Sequence, residues 1–164
     1  MHSSNGSIVE PGYDPYGGHP DVQSFTQQYT VPDPSTPGGV GWDWPPNRGA
    51  VPGSEQIITL PPGRTMQFDR IGGEGGEYFS PPGTPFGDRA LPPDRLNFQR
   101  WTCEVDPKSP LVTSGAVRIE ESTIAPWFGQ PGGGVQYRFL DPSGEPIPAW
   151  KLLDLKVLVD KEKA

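Results

Sequence analysis

Histidine is nearly missing from this chain of 164 residues: His2 and His19 are the only two, and both fall in the first twenty positions. A Ser–His–Asp or Cys–His relay therefore has no imidazole base in the rest of the chain. Cysteine is scarcer still. Cys103 stands alone, so no internal disulfide staples the fold. Metal sites built on histidine or paired cysteine are excluded by the same shortage. No GxxxxGK(S/T) phosphate loop is present. No apolar run approaches a membrane span, and no N-terminal signal pattern is seen, so any export address is expected on a larger parent chain. Basic residues are outnumbered 13 to 20, giving a net charge of −7. That balance argues against nucleic acid or an anionic membrane as the main partner, while leaving room for a local basic pocket.

What the chain does have is glycine (22) and proline (23), together more than a quarter of its residues. Composition of that kind favours loops and disorder. Five Trp, five Tyr and seven Phe argue for a packed core nonetheless. Residues 1–40 are rich in Pro, Gly and Ser without a helical period. They are expected as a linker or leader that the domain can lose, with "DVQSFTQQYT" as a short helix or docking strand. Residues 41–164 are expected as the domain. Short strands are expected in "EQIITLPPG", "RTMQFDRIG", "GGEYFSPPGTPFG", "RLNFQRWTCEVD", "GAVRIEESTIAPWF" and "VQYRFLD". The segment "IPAWKLLDLKVLVDKEKA" carries Trp150, Leu153 and Val157 at helical spacing, with a last strand as the alternative after Leu155. The fold class is α+β and β-rich: a small twisted antiparallel sheet core with at most two short helices and many Pro/Gly loops.

Chemistry-bearing patterns are few. "GGEGG" (residues 72–76) has no helix after it, so a dinucleotide-binding crossover is a weak reading. Glu74, Glu77, Glu104, Glu120 and Glu121 supply carboxylates without informative spacing. The run Gly132-Gly133-Gly134 sits before Gln136 in a strand-like stretch. Either that loop is slack or something large approaches its backbone.

Two blocks carry a resemblance. The first is "LPPGRTMQFDRIGGEGGEYFSPPGTPFGDRALPP", residues 60–93. The second runs from Phe128-Gly129-Gln130 to Gln136-Tyr137. Together, in this order, they resemble the tuberculosis necrotizing toxin type of NAD glycohydrolase, over roughly residues 41–158. The resemblance implies hydrolysis of NAD, and often NADP, to nicotinamide and ADP-ribose. The dinucleotide is then the substrate, with no cofactor and no metal. It also implies a secreted toxin, or a toxin domain delivered as part of a larger protein, acting as a monomer in a target-cell cytosol and neutralised at home by an immunity protein. Disulfide-bonded fungal relatives fit the single Cys103 less well than bacterial ones. One departure stands out: where the family's namesake has a histidine within a strand, "NFQRW" here carries Gln99.

Cleavage of the nicotinamide–ribose bond suits a histidine-poor chain. The pyridinium leaves as neutral nicotinamide and needs no general acid. The resemblance implies roles residue by residue. Arg70 and Arg89 would contact pyrophosphate and ribose through forked hydrogen bonds; the competing reading pairs them with Asp69 or Asp88. Tyr78 would pack against nicotinamide or its ribose, with Phe79 in the core. Gln136 would hold a ribose hydroxyl or the attacking water, with Gln130 as the other candidate. Gly133 and Gly134 would let the backbone run close to the dinucleotide. Trp127 and Phe128 are expected in the core, and Arg64, Arg95, Arg100 and Arg138 as surface charges. Two alternatives stay open: an ADP-ribosyltransferase with a protein acceptor, and a non-catalytic NAD-binding module.

Overall fold

The computed structural model describes residues 8–61 and 63–161. Among these residues, eight short strands form three antiparallel sheets. β1 (Thr30–Pro32) pairs with β2 (Val40–Trp42). β3 (Gln56–Ile58), β6 (Arg118–Thr123) and β7 (Val135–Leu140) form the second sheet, in the order β3-β6-β7. β4 (Gln67–Ile71), β5 (Arg100–Val105) and β8 (Leu158–Asp160) form the third, in the order β4-β5-β8. The α+β, β-rich class holds, with three small sheets where one was expected. The helices number three among the described residues: α1 (Val22–Tyr29), α2 (Pro110–Thr113) and α3 (Ala149–Asp154).

Two residues couple the larger sheets. Phe79 exchanges both backbone hydrogen bonds with Tyr137 of β7, and Ser80 does the same with Asp69 of β4. The strand expected over residues 75–87 is thus reduced to these two bridges. Its prolines at 81, 82 and 85 lack the N–H groups a ladder needs. β5 alternates as read from its sequence, burying Trp101, Cys103 and Val105. Leu96 lies outside it, in a 3-10 turn over Pro93–Asn97, and Phe98 caps that turn. Trp101 is fully buried, and its indole N–H donates to the Gly72 carbonyl at 2.9 Å. Around it Phe68, Phe79 and Phe139 meet edge to face. Burying such rings dominates the stability of a core this small. After Leu155 the tail returns as β8, antiparallel to β5.

The described part of the expected linker is folded. Asp21 caps α1 by accepting from the Ser24 N–H at 2.7 Å. Phe25 and Tyr29 then pack with Phe128 in a second aromatic cluster. Phe86 donates its N–H to Ile8, and the Tyr29 hydroxyl accepts from Gly129. The linker reading of residues 8–40 is therefore corrected: two anchoring aromatics in a Pro/Gly-rich stretch outweighed its lack of period. Residues 1–7, with His2, lie outside the described residues. No helix among the described residues is long and apolar enough to cross a membrane.

Candidate active site

A cavity of about 380 Å³ opens beside the two bridges. Four residues expected at the site line it: Arg70, Tyr78, Arg89 and Gln136. They arrive from different elements. Arg70 comes from β4, Tyr78 from the residue before the bridges, Arg89 from the 3-10 turn Gly87–Arg89, and Gln136 from β7. The remaining three expected residues, Gln130, Gly133 and Gly134, are not among the lining.

Arg70 is held by its own loop. Its Nε donates to the Gly73 carbonyl at 2.8 Å and its Nη1 to the Tyr78 carbonyl at 2.9 Å. A Cβ on Gly76 would overlap its Nη2, so the missing side chain at Gly76 leaves the guanidinium room to lie across the loop. Burial, and then the nearby Arg95 charge, lower the Arg70 pKa to about 10, which leaves it cationic at neutral pH. Burial and Glu77 raise the pKa of the Tyr78 phenol, which stays protonated.

Arg89 is paired, as the competing reading had it, and yet lines the cavity. Its Nη1 and Nη2 meet the two Asp69 oxygens at 2.7 and 2.9 Å, and its Nε donates to Thr84 O at 2.9 Å. Both partners are buried. Asp69 also accepts from the Gly83 N–H at 3.0 Å and faces Arg100 at 3.6 Å. That carboxylate thereby ties β4, β5 and the 81–89 loop together. The end-on fork leaves one N–H on each Arg89 terminal nitrogen for a ligand.

Gln136 is 8% exposed, and its Nε2 donates to the Arg48 carbonyl at 3.2 Å. Its carbonyl oxygen remains an acceptor. The loop it meets is strained: Asn47 and Arg48 take φ of 53° and 56°, followed by Gly49 at 76°. Successive left-handed non-glycine residues are costly and cluster at functional sites.

Gln130 does something else. Its Nε2 donates to Asp14 O, pinning the N-terminal segment. The glycine run packs on the Arg89 turn: the Gly132 N–H donates to Gly87 O and the Gly134 N–H to Asp88 O. A Cβ on Gly134 would lie 2.8 Å from Asp88 O. What approaches this backbone is another stretch of the same chain. Gly133 has open space around it and adopts φ of 87°.

Residues missed from sequence include Trp44, Arg48 and Arg95, which also line the cavity. The Arg95 guanidinium lies 5.2 Å from the Trp44 ring centre and 4.6 Å from that of Phe98. Arg95 was expected as a surface charge, as were Arg100 and Arg138. Arg100 instead faces buried Asp69, and Arg138 is buried against Glu120 at 2.8 Å. Only non-local packing reveals them; "WPPNRG" carries no pattern beyond a turn. Phe128 is fully buried and Trp127 packs beside it, as expected. The Cys103 thiol is buried and its pKa pushed far up by desolvation, so it is inert.

Among the described residues, four arginines (48, 70, 89, 95) and no carboxylate line the cavity, within a chain of net charge −7; Arg48, Arg89 and Arg95 are paired behind the lining with Glu55, Asp69 and Asp94. Residues 59–160 match the family model described as tuberculosis necrotizing toxin. The chain belongs to that family. It is similar to the conidial surface nicotinamide adenine dinucleotide glycohydrolase nadA of Aspergillus fumigatus, 39% identical over 99 residues. That match covers 57% of this chain and 41% of the fungal protein. It is also similar to the outer membrane channel protein CpnT of Mycobacterium tuberculosis, 32% identical over 151 residues. There the match covers 84% of this chain and 17% of the relative. The chain thus spans less than half the length of either. The solved tuberculosis necrotizing toxin, in complex with its immunity factor IFT, superposes with a TM-score of 0.74 at 29% identity, covering 93% of this chain and 79% of the other.

Proposed function

We propose that the chain is an NAD(P)+ glycohydrolase toxin domain, hydrolysing the nicotinamide–ribose bond to nicotinamide and ADP-ribose. The observation that carries the reading is the arginine-lined, carboxylate-free cavity in an acidic chain. A pyrophosphate needs such a lining. Its family setting, with a fungal relative named as an NAD glycohydrolase, supports the same reaction.

The mechanism follows from what each group can offer. Arg70 holds the pyrophosphate. Arg89 adds its two unused N–H groups as positioned donors, its charge balanced by Asp69. Tyr78 packs beside the nicotinamide or its ribose. The C–N bond breaks with its electron pair passing to the nicotinamide nitrogen, which leaves neutral. The ribose becomes an oxocarbenium ion. The Gln136 carbonyl oxygen faces that charge and holds a ribose hydroxyl or the incoming water. Water bonds through oxygen to the anomeric carbon and releases a proton to solvent. With no carboxylate lining the cavity, nothing there activates a protein acceptor, which favours water over transfer.

The relatives at a conidial surface and in an outer-membrane channel protein support delivery outside the producing cell. Action on a target-cell cytosol, and restraint by a cognate immunity protein like that bound to the solved relative, belong to the same proposal. The test is chromatographic detection of nicotinamide and ADP-ribose from NAD and from NADP with the purified chain. Absence of both products overturns the reading. Label transferred from NAD to protein establishes the transferase instead.

A further inference from the structure

We infer that a second hollow, beyond the Trp44–Arg95 stack, is the subsite for the adenosine half of the dinucleotide, and that Asp33 makes it select a free ribose 2′-hydroxyl over a 2′-phosphate. This rests on the dinucleotide reading above and deepens it. The main cavity, about 380 Å³, stands near the small end of the roughly 300–1,000 Å³ range of small-ligand sites. It suits the nicotinamide riboside and pyrophosphate; a whole dinucleotide is about twice that ligand.

The second hollow, about 470 Å³, shares two wall residues with the first, Trp44 and Arg95. A ligand whose pyrophosphate sits by Arg70 therefore reaches it across that wall. Its other side is the β1–β2 hairpin, contributing Thr30, Asp33, Thr36 and Trp42. The wall is fastened. Asp94 accepts from the Trp42 indole at 3.2 Å and pairs with Arg95 at 3.0 Å, which joins the hairpin to the Pro93–Asn97 turn. Trp44 is half exposed and offers an apolar face to a purine.

The polar inventory then decides the ligand chemistry. The Thr30 and Thr36 hydroxyls already donate to backbone carbonyls. Asp94 and Arg95 balance one another. Asp33 Oδ1 accepts from the Ser35 N–H and hydroxyl, which keeps the carboxyl ionised. Its Oδ2 carries no hydrogen bond among the described residues and lies over Gly41, 2.8 Å from where a Cβ would stand. One unmatched carboxylate oxygen accepts from ribose hydroxyls and repels a phosphate placed on them.

The test is calorimetric binding of ADP-ribose, 2′-phospho-ADP-ribose and nicotinamide mononucleotide, with folding checked by thermal melting. The wild-type chain is expected to bind ADP-ribose at least about tenfold more tightly than its 2′-phosphate. Asp33→Asn, which keeps the Ser35 acceptor, is expected to erase most of that ratio. Gly41→Val, which fills the hollow, should weaken both ADP-ribose ligands while mononucleotide binding stays unchanged in both variants. Equal affinity of the wild type for the two ADP-ribose forms, no binding of either, or an unchanged ratio in Asp33→Asn overturns the subsite; the last holds even if Gly41→Val does not fold. If ADP-ribose binds as expected but NAD is not hydrolysed, the glycohydrolase reading falls and the nucleotide subsite stands.

Discussion

Gln136 and Gln130 stand six residues apart and hold different parts of the molecule. Gln136 faces the cavity and leans on Arg48 O; Gln130 ties down Asp14. Only contacts stronger in the transition state raise a rate. Gln136→Ala is therefore expected to slow single-turnover nicotinamide release on the order of 10²–10³-fold with NAD binding nearly unchanged. Gln130→Ala should lower the melting temperature and leave turnover near wild type at low temperature. A fast Gln136→Ala enzyme would remove it from the mechanism. Asp69 invites a different measurement. Asp69→Ala leaves the Arg89 guanidinium buried without its counter-charge, and breaking a buried pair in this way costs about 3–5 kcal/mol, read by denaturant unfolding. Two tyrosines make stability pH-dependent. Burial, helped by Glu10, raises the pKa of Tyr13 to about 12, and burial with Glu121 does the same for Tyr137. The unfolded chain releases these protons near pH 10, before the folded one does. Their stabilisation is complete below pH 10 and is lost as pH rises toward 12. Tyr137→Phe should flatten that loss in a melting series.

The glycine loop is the element whose sequence misled. Three glycines beside a polar residue announce a close approach, but not what approaches. In the fold it is the Gly87–Asp88 backbone, so the loop braces the turn that carries Arg89. Gly134→Ala is expected to push Asp88 and displace Arg89, lowering kcat/KM for nicotinamide release. Gly133→Ala meets open space, so it should cost only about 1–2 kcal/mol of left-handed strain and keep its activity. If the two behave alike, the bracing role is wrong. Elements with a local rule were readable: β5 from its period of two, β8 as the alternative for the tail, and α1 as one of two choices for its segment. The grouping of residues around the cavity was readable only through the two sequence blocks. They brought Arg70, Tyr78, Arg89 and Gln136 to one cavity. Arg48 and Arg95 escaped because the contacts that set them in the cavity wall, Gln136 on the Arg48 carbonyl and the Trp44 ring on Arg95, are distant in sequence. Arg95 meets Trp44 across half a hundred residues, and no window of sequence holds both.

At the scale of the whole molecule, the N-terminal segment decides whether residues 41–164 can stand alone. Its composition suggested that it could be removed. The structure binds it in three ways. Phe25, fully buried, and Tyr29 close the cluster around Phe128. Ile8 O and Glu10 Oε1 accept from the Phe86 and Gly87 N–H groups, at the start of the Arg89 turn. Asp14 O receives Gln130. Losing one buried aromatic costs about 1.5–3 kcal/mol, so removing both exposes Phe128 at a cost that is a large fraction of the roughly 5–15 kcal/mol of a typical domain. Deleting residues 1–40 is therefore expected to lower the melting temperature steeply and to abolish nicotinamide release. A fully active chain without residues 1–40 would show that the turn holds Arg89 without its strap, and that the hairpin contributes nothing to the substrate.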